Sequence, residues 1–453
     1  MGNKKTVGQR ALFATKIGVI ATTVGSAVGL GNIWRFPYEA GCNGGGAFMV
    51  CYFMFIFIIG VPVICAEFIM GRGTRSNIFG AYRKLSPKGK WYVAGFMGIL
   101  ASVLILSFYS VVAGWILEYL IQSLTGSIKL ADASANHVAF DEFSTSSFRP
   151  VIWTLSFLAL NFLILINGVA KGIERMSNIL MPMLFVLLVI FCINSLTLDK
   201  ASEGLTFLFH PDFSKISPQV LLSAMGQAFF SLSLGLGCMT TYASYFGEGT
   251  KLGRTAMTTA ILDTLVAILA GIIIFPAVFS FGFSPQAGPT LVFEVLPAVF
   301  NNLPGGVVWS SLFFLLLTLA SLTSTISMSE ISIAFMVEEW KLSRKVATIV
   351  NTLVAMFFGT LCALSFGVLS DVKIFGLTIF NLFDYASSNV LLPIGGMIAS
   401  IFVGWVVDKR FVKSQMTGNG AYKSVLLPFV VFCLRYIAPA GIALVFLNSI
   451  GLI

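Results

Sequence analysis

Four acidic side chains lie within long apolar segments of the sequence, where a charge needs a specific reason. They are Glu67, Asp263, Glu330 and Asp384, and Arg35 is the basic residue in a comparable position. A charged side chain at the centre of a bilayer costs about 2.5 to 3.5 kcal/mol on insertion scales, so such residues mark ion or proton pathways or pair with one another. They are the first candidates for chemistry in this chain.

Asp263 follows a run of apolar residues and precedes Thr264, and its carboxylate could supply oxygen to a cation. A proton-carrying or merely hydrogen-bonded carboxyl is the alternative. Arg35 and Asp384 lie toward the outer ends of their segments, where they could form a pair that opens and closes over a cavity, or a static salt bridge. We expect Glu67 and Glu330 to be partners for polar backbone near interrupted helices.

Two glycine-rich stretches, 25–32 and 231–237, interrupt apolar segments and echo each other as Val-Gly-Leu-Gly and Leu-Gly-Leu-Gly. A break in a membrane helix frees carbonyls and amides, which hydrocarbon tolerates only around a protein-lined cavity. Freed carbonyls can replace the water shell of a hard cation such as Na⁺. The amide-rich start of the following half-helix suits a carboxylate. Close helix packing through small residues is the alternative interpretation.

A third polar stretch places Ala320, Thr323 and Ser324 on one helical face, since they are spaced i, i+3 and i+4. One carbonyl and two hydroxyls on that face form a plausible half-site for a cation, although small residues also serve helix packing. Tyr109 is central in another apolar segment, and its hydroxyl needs a polar partner.

The sequence contains few residues that could carry out metal-dependent or nucleophilic catalysis. There are two His and seven scattered Cys, with no spacing typical of a metal site or a disulfide framework. No nucleophile–base pair or phosphate-binding loop is evident, so we expect that the chain is not an enzyme.

The composition indicates that membrane-spanning helices must position these residues. Of the 453 residues, 57% are apolar and 10% charged, and the mean hydropathy is +0.92. Soluble domains average about 25% charged residues, so a soluble enzyme, a disordered chain and a disulfide scaffold are excluded. The chain is predicted to be an all-α polytopic membrane protein in a lipid bilayer, and its net charge of +9 is no signal for nucleic acid.

A membrane-spanning helix needs about 20 mainly apolar residues. The sequence predicts eleven, at 14–37, 45–70, 92–122, 151–168, 174–196, 218–246, 255–281, 306–337, 346–367, 376–405 and 425–449. The short gaps leave room for one transmembrane domain, 1–453. Because the two interrupted segments are five spans apart, we expect a five-plus-five inverted repeat, with repeats at about 10–196 and 216–405 and an extra helix at about 425–449.

The loop charges predict the orientation. With the N-terminus inside, twenty Lys and Arg lie in cytoplasmic loops and five in outer loops, which satisfies the positive-inside rule. No secretory signal peptide is evident. We therefore expect a multi-pass protein of the plasma membrane, the inner membrane of a bacterium, with a cytoplasmic N-terminus and an extracellular C-terminus.

Several runs resemble the neurotransmitter:sodium symporter family. They are GSAVGLGNIWRFP at 25–37, NGGGAF at 43–48, GQAFFSLSLG at 226–235 and TYASY at 241–245. The resemblance covers essentially the whole chain and is greatest to bacterial members that carry hydrophobic amino acids. It implies the leucine-transporter fold, with eleven helices of which the first and sixth are unwound.

The resemblance also implies two Na⁺ sites. The first would use the substrate carboxylate with Ala27, Asn32, Ser231 and Asp263. The second would use Gly25, Val28, Ala320, Thr323 and Ser324. Substrate contacts would come from Ser26, Gly29, Ile105, Tyr109, Phe230, Ser231, Ser233, Leu234, Leu236, Ser324 and Met328. Phe230 would form a lid beneath an outer gate of Arg35 and Asp384, and the inner gate would be Arg10, Tyr245 and Glu338.

Three departures refine this expectation. Gly29 stands where monoamine carriers have Asp, which favours substrates with their own carboxylate. Asp263 stands where many members have Asn, and Ala267 replaces the Ser of chloride-binding members. We therefore expect fixed negative charge at Asp263 and no need for chloride. Glu330 falls where similar sequences have a neutral residue, and the sequence does not explain it.

The resulting hypothesis is sodium-coupled symport of aliphatic and aromatic L-amino acids by alternating access. A channel or a non-transporting receptor on the same scaffold is the rival from another class. Proton coupling through Glu67, Asp263 or Glu330 is the rival within transport.

Overall fold

A computed structural model describes residues 12–128, 133–282, 292–301 and 303–452. Helices dominate it, and the described residues form no strand beyond one isolated bridge between Ile374 and Leu377. In chain order, the helices are α1 Lys16–Ala27, α2 Gly31–Cys42, α3 Gly46–Thr74, α4 Ile78–Leu85, α5 Tyr92–Leu124, α6 Ala133–Ser144, α7 Arg149–Leu165, α8 Val169–Ser195, α9 Ala201–Phe209, α10 Pro218–Ser231, α11 Cys238–Ala243, α12 Leu252–Ser280, α13 Val295–Asn301, α14 Gly306–Glu338, α15 Arg344–Leu364, α16 Ile379–Val406, α17 Lys409–Thr417 and α18 Leu427–Ser449.

Eight described helices are long and apolar enough to cross a bilayer, and the number rises to ten if each of two bent pairs is one span. The pairs are α1 with α2, bent by 53°, and α6 with α7, bent by 77°. The predicted span 218–246 is not among the ten, because six residues separate α10 from α11 and neither helix is long enough alone. The structure is thus that of a multi-pass helical membrane protein, and the count of eleven stays a prediction.

Both glycine-rich stretches coincide with interruptions of helices. After α1 ends, Val28 is extended, with φ −66° and ψ 122°. Between α10 and α11, Ser233, Gly235 and Gly237 have φ values of +52°, +81° and +80°. Residues other than glycine rarely adopt this left-handed backbone conformation. Glycine at two of the three positions therefore permits the break. The two breaks leave backbone groups unpaired by their own helices.

Glu67 satisfies part of the second break. Its Oε1 accepts the Gly235 N–H at 2.9 Å and its Oε2 accepts the Thr240 N–H at 3.1 Å. The carboxylate is 1% exposed and lies at the amino-terminal end of α11, where the helix dipole favours negative charge. The expectation that Glu67 pairs with polar backbone near an interrupted helix is confirmed.

The two longest helices, α5 and α14, pack along most of their length and form the wall that faces the breaks. Hydroxyl pairs join them near both ends, with Ser102 and Ser332 3.1 Å apart and Ser123 and Ser310 2.8 Å apart. Small polar residues allow membrane helices to approach closely and to bond across the interface. This packing fixes the height of Tyr109 on one helix and Ser324 on the other.

Replacing Gly235 with alanine tests the second break. A Cβ at this position would lie 2.4 Å from the Leu392 carbonyl oxygen and 2.5 Å from the Gly396 nitrogen. The left-handed backbone alone costs an alanine roughly 1–2 kcal/mol, so Gly235→Ala should lower the melting temperature of the purified protein. Gly226→Ala is the control, because only Val445 lies near a Cβ there, at 3.7 Å. Equal melting temperatures for the two variants would contradict this description of the break.

Candidate functional site

Three residues of the predicted first cation site meet, although they come from α2, α10 and α12. The Asn32 amide donates to Asp263 Oδ1 at 2.8 Å and to Ser231 Oγ at 3.0 Å. Ser231 in turn donates to Asp263 Oδ2 at 2.7 Å. All three are at most 2% exposed. The interruption after α1 makes this possible, because it directs the first turn of α2, with Asn32, toward the end of α10.

The Asp263 carboxylate has only neutral partners within the described ranges. The carboxylate accepts hydrogen bonds from Asn32 and Ser231, and no Lys or Arg side chain lies against the carboxylate. The Tyr52 hydroxyl donates to Ser231 at 3.2 Å. An ionised carboxylate buried in this way is costly unless a positive charge neutralises it. The oxygen-rich surroundings suit a hard monovalent cation, so the residues fit Na⁺. Ala27, at the end of α1, lines a small cavity together with Ser231.

The second predicted cation set joins the end of α1 to the middle of α14. Ser324 Oγ donates to the Val28 carbonyl at 3.0 Å, and Thr323 Oγ1 donates to the Ala320 carbonyl at 3.0 Å. A Cβ on Gly25 would lie 3.4 Å from Thr323 Cβ. The set therefore offers only oxygen ligands. Its two hydroxyl groups donate to carbonyl oxygens and so occupy lone pairs that a bound cation would otherwise use.

A cavity of about 40 Å³ lies between the two breaks and the α5–α14 wall. Nine of the eleven predicted substrate contacts line it, namely Gly29, Ile105, Tyr109, Phe230, Ser231, Ser233, Leu236, Ser324 and Met328. The other two do not. Ser26 places its hydroxyl 2.9 Å from the Cys238 sulfur, and Leu234 is fully buried. The space holds a few water molecules at most, so an amino acid would require side chains to move.

Four further residues line this cavity and were not predicted from the sequence, namely Leu30, Gly31, Phe108 and Leu392. Phe108 precedes Tyr109 on α5, and Leu392 comes from α16. Adjacency to Tyr109 could have drawn attention to Phe108. No spacing signal links Leu392 to the other lining residues, because it reaches the cavity through packing of α16 against the second break.

The polar end of the cavity has no room for a side chain at Gly29. A Cβ there would lie 2.5 Å from Ser324 Oγ and 3.1 Å from the Tyr109 hydroxyl. Tyr109 accepts the Leu30 N–H at 3.2 Å, which is the polar partner that its burial requires. Backbone amides and a hydroxyl therefore converge at this end, and such a group of donors suits a carboxylate.

On the side predicted to face outward, Arg35 stacks on Phe230, the residue expected to form a lid. The guanidinium carbon lies 4.3 Å from the ring centroid, within cation–π range. Arg35 is also 3.6 Å from Glu39, while Asp384 accepts from Ser388 at 2.8 Å. Arg35 and Asp384 do not form an ion pair in this arrangement of the described residues.

On the side predicted to be cytoplasmic, the residues that precede α1 are attached to those that follow α11. The Phe13 N–H donates to the Tyr245 carbonyl at 2.9 Å, and the Phe13 ring packs edge-on against the Tyr245 ring at 5.7 Å. Glu338 accepts two bonds from Asn77, at 2.8 and 2.9 Å. The third predicted gate residue, Arg10, lies outside the described residues.

Glu330 has side-chain partners, so the expectation that it pairs with backbone is wrong. The Tyr245 hydroxyl donates to it at 2.5 Å, and the Arg344 guanidinium donates to both carboxylate oxygens, at 2.9 and 2.6 Å. A bidentate pair of this kind neutralises a buried charge. Sequence reasoning missed Arg344 because it belongs to the following helix, α15, and its sequence position is that of an ordinary loop charge.

Comparisons with known proteins agree with this geometry. The family model described as "Sodium:neurotransmitter symporter family" matches residues 10–149 and 144–452. An uncharacterised sodium-dependent transporter, YhdH of Bacillus subtilis, is 41% identical, over 97% of this chain and 98% of its own length. The sodium- and chloride-dependent GABA transporter 2 of Rattus norvegicus is 27% identical, over 98% of this chain and 80% of its own.

A solved structure is similar over nearly the whole chain. The crystal structure of MhsT in complex with L-phenylalanine has a TM-score of 0.89 and 44% identity, covering 97% of this chain and 100% of that one. The fold, the extended matches and the oxygen-rich breaks all lead to one assignment. The chain belongs to the sodium:neurotransmitter symporter family.

Proposed function

We propose that this protein is a sodium-coupled symporter that takes up hydrophobic L-amino acids, aliphatic and aromatic, by alternating access. The observation that supports it best is the Asp263 carboxylate, which is fully buried and has no cationic side chain against it in the described structure. A cation that enters from solution supplies the missing charge, and the inward electrochemical gradient of that cation supplies the driving force.

Coupling follows from the position of the first cation set next to the cavity. Na⁺ would be held by Asn32, Ser231, Asp263 and the Ala27 carbonyl, and the carboxylate of the substrate would complete the ligand set. Each then stabilises the binding of the other, and this coupling is reciprocal. A second Na⁺ between α1 and α14 would hold these helices together while the protein faces outward.

The nature of the substrate is supported by the lining of the cavity and by one relative. Ile105, Phe108, Leu236, Met328 and Leu392 line the cavity with apolar groups. Met adapts its shape easily, which suits side chains of different size. The solved relative MhsT has L-phenylalanine bound, and an amino acid brings the carboxylate that Gly29 leaves room for.

The proposal includes the topology expected from the sequence. Eleven spans, with α10 and α11 as the two halves of the sixth, would form two inverted repeats of five. The N-terminus would be cytoplasmic and the C-terminus extracellular in a bacterial inner membrane. Chloride would be unnecessary, because Asp263 supplies a fixed negative charge and the buried Ala267 offers no hydroxyl.

Proton coupling is less well supported than sodium coupling. Glu67 accepts backbone amides and Glu330 is paired with Arg344, so a proton relay through either carboxylate would have to break these bonds. The Asp263 carboxylate accepts only from side chains in the described structure, and its surroundings of amide and hydroxyl oxygens suit Na⁺.

The first prediction concerns the charge of Asp263. In chloride-free buffer, Asp263→Asn should lower sodium-dependent uptake of radiolabelled L-phenylalanine at least about tenfold, since a lost charged ligand is worth more than 1.4 kcal/mol. Wild-type uptake should be unchanged when gluconate replaces chloride, and it should vanish when choline replaces Na⁺. The assay is initial-rate uptake into proteoliposomes.

Asp371→Asn is the matched control for this variant, because Asp371 is an exposed aspartate remote from the cavity. It should transport as the wild type does. Uptake that persists in choline and is driven by an imposed proton gradient would contradict sodium coupling. A large loss of wild-type uptake in gluconate would show that Asp263 does not replace chloride.

The second prediction concerns substrate size. Met328→Phe places a rigid ring in the cavity, so it should weaken competition by tryptophan more than competition by leucine, by about tenfold or more in their ratio. Met328→Leu conserves volume and should leave the ratio within about twofold. Inhibition of labelled leucine uptake gives both constants, and an equal loss for the two competitors would place Met328 outside the side-chain pocket.

A further inference from the structure

A second cavity, of about 640 Å³, lies between the start of α1 and the start of α12. It does not share any residue with the cavity between the breaks. Its polar wall includes Lys16, Lys251, Arg254, Thr250, Thr255 and Thr258. The transport mechanism makes no use of this cavity.

The cavity is strongly cationic. Lys16, Lys251 and Arg254 are exposed, and none of them forms an ion pair within the described part of the chain. No Asp or Glu is among the described residues that line it. The nearest acids are Glu174, whose carboxylate accepts from Ala14 and Thr15 in the wall, and Glu248, which is exposed between the lining residues Gly247 and Gly249. Three basic side chains therefore outnumber the two acids next to the cavity.

Further basic residues lie in an adjacent cavity and in the sequence that precedes α1. An adjacent cavity shares Lys251 and Arg254 and adds Lys423. The sequence from residue 1 to 11 contains Lys4, Lys5 and Arg10 but no acid, so the segment that precedes α1 cannot neutralise the site. Such a concentration of cations calls for an anionic ligand.

The start of α12 adds backbone donors to these side chains. Lys251 is its N-cap residue, and no described side chain accepts from the amides of the first turn. By contrast, the Thr15 side chain caps the start of α1 at the Gly18 N–H. An uncapped helix start has partial positive charge and free N–H groups, which favour phosphate.

Apolar side chains continue from the cationic cavity along the faces of the same helices. Ile17 of α1 is 75% exposed, and Ile261 and Leu265 of α12 are 49% and 38% exposed. Ile261 and Leu265 follow Arg254 at i+7 and i+11, so they lie on one face of α12. Exposed aliphatic residues on a membrane helix contact acyl chains. A ligand with both a phosphate and hydrocarbon chains therefore fits better than a free anion.

We propose that this cavity binds the phosphate headgroup of an anionic phospholipid from the cytoplasmic leaflet, with its acyl chains along Ile17, Ile261 and Leu265. Lys16, Lys251 and Arg254 neutralise the phosphate, and the three threonines can donate hydroxyls to it. Basic cavities between helices on the cytoplasmic side are the general setting for such headgroups. The lipid would contact the first turn of α1, which Phe13 attaches to Tyr245.

Native mass spectrometry of the purified full-length protein tests the proposal, with dioleoyl phosphatidylglycerol and dioleoyl phosphatidylcholine as probes. The wild type should bind phosphatidylglycerol at least about tenfold more tightly. The double variant Lys251→Gln/Arg254→Gln should lose about tenfold in affinity for phosphatidylglycerol and almost nothing for phosphatidylcholine. The double variant Lys88→Gln/Lys90→Gln removes equal charge from another exposed cytoplasmic loop and should bind as the wild type does.

Three results would overturn the proposal. The first is equal affinity of the wild type for both lipids, a measurement that needs no variant. The second is an equal loss in the two double variants, which would indicate a general effect of surface charge. The third is displacement of phosphatidylglycerol by millimolar inorganic phosphate, which would assign the cavity to a free anion rather than to a lipid.

Discussion

A fully buried carboxylate that faces only neutral donors is the constraint on which this molecule depends. Asp263 receives hydrogen bonds from Asn32 and Ser231, but these dipoles do not cancel a full charge in an interior of low dielectric constant. The chain arranges oxygen atoms around it from three helices, which is possible only because two of those helices end beside it. The interrupted helices and the unpaired charge are therefore two aspects of one site.

Two other buried acids, Glu67 and Glu330, have partners within the described part of the fold. Glu67 accepts backbone amides at the start of α11, and Glu330 forms a bidentate pair with Arg344. One lies at the second break and the other accepts from the Tyr245 hydroxyl. Asp263 differs from Glu330 in lacking a positive side-chain partner in the described structure, and from Glu67 in facing side-chain rather than backbone donors. These differences support the proposal that it binds the transported cation.

The sequence predicted most of the residues that line the cavity but not all of them. Polar or small residues in apolar segments are conspicuous, so Asn32 and Asp263 can be recognised from the pattern of residue types alone. Leu392 cannot, because one apolar residue among many has no distinguishing pattern and its position depends on tertiary packing. The partner of Glu330 was missed for a related reason, since Arg344 resembles an ordinary loop charge until its helix is placed. The polar helix α6 was also missed, because its sequence resembles a loop.

A high-resolution map of the protein with Na⁺ and L-phenylalanine would test the central claim most directly. The account predicts a density peak bonded to oxygens of Asn32, Ser231 and Asp263 and to the carboxylate of the bound amino acid. Phenylalanine in the cavity without such a peak, with Ser231 still donating directly to Asp263, would contradict it.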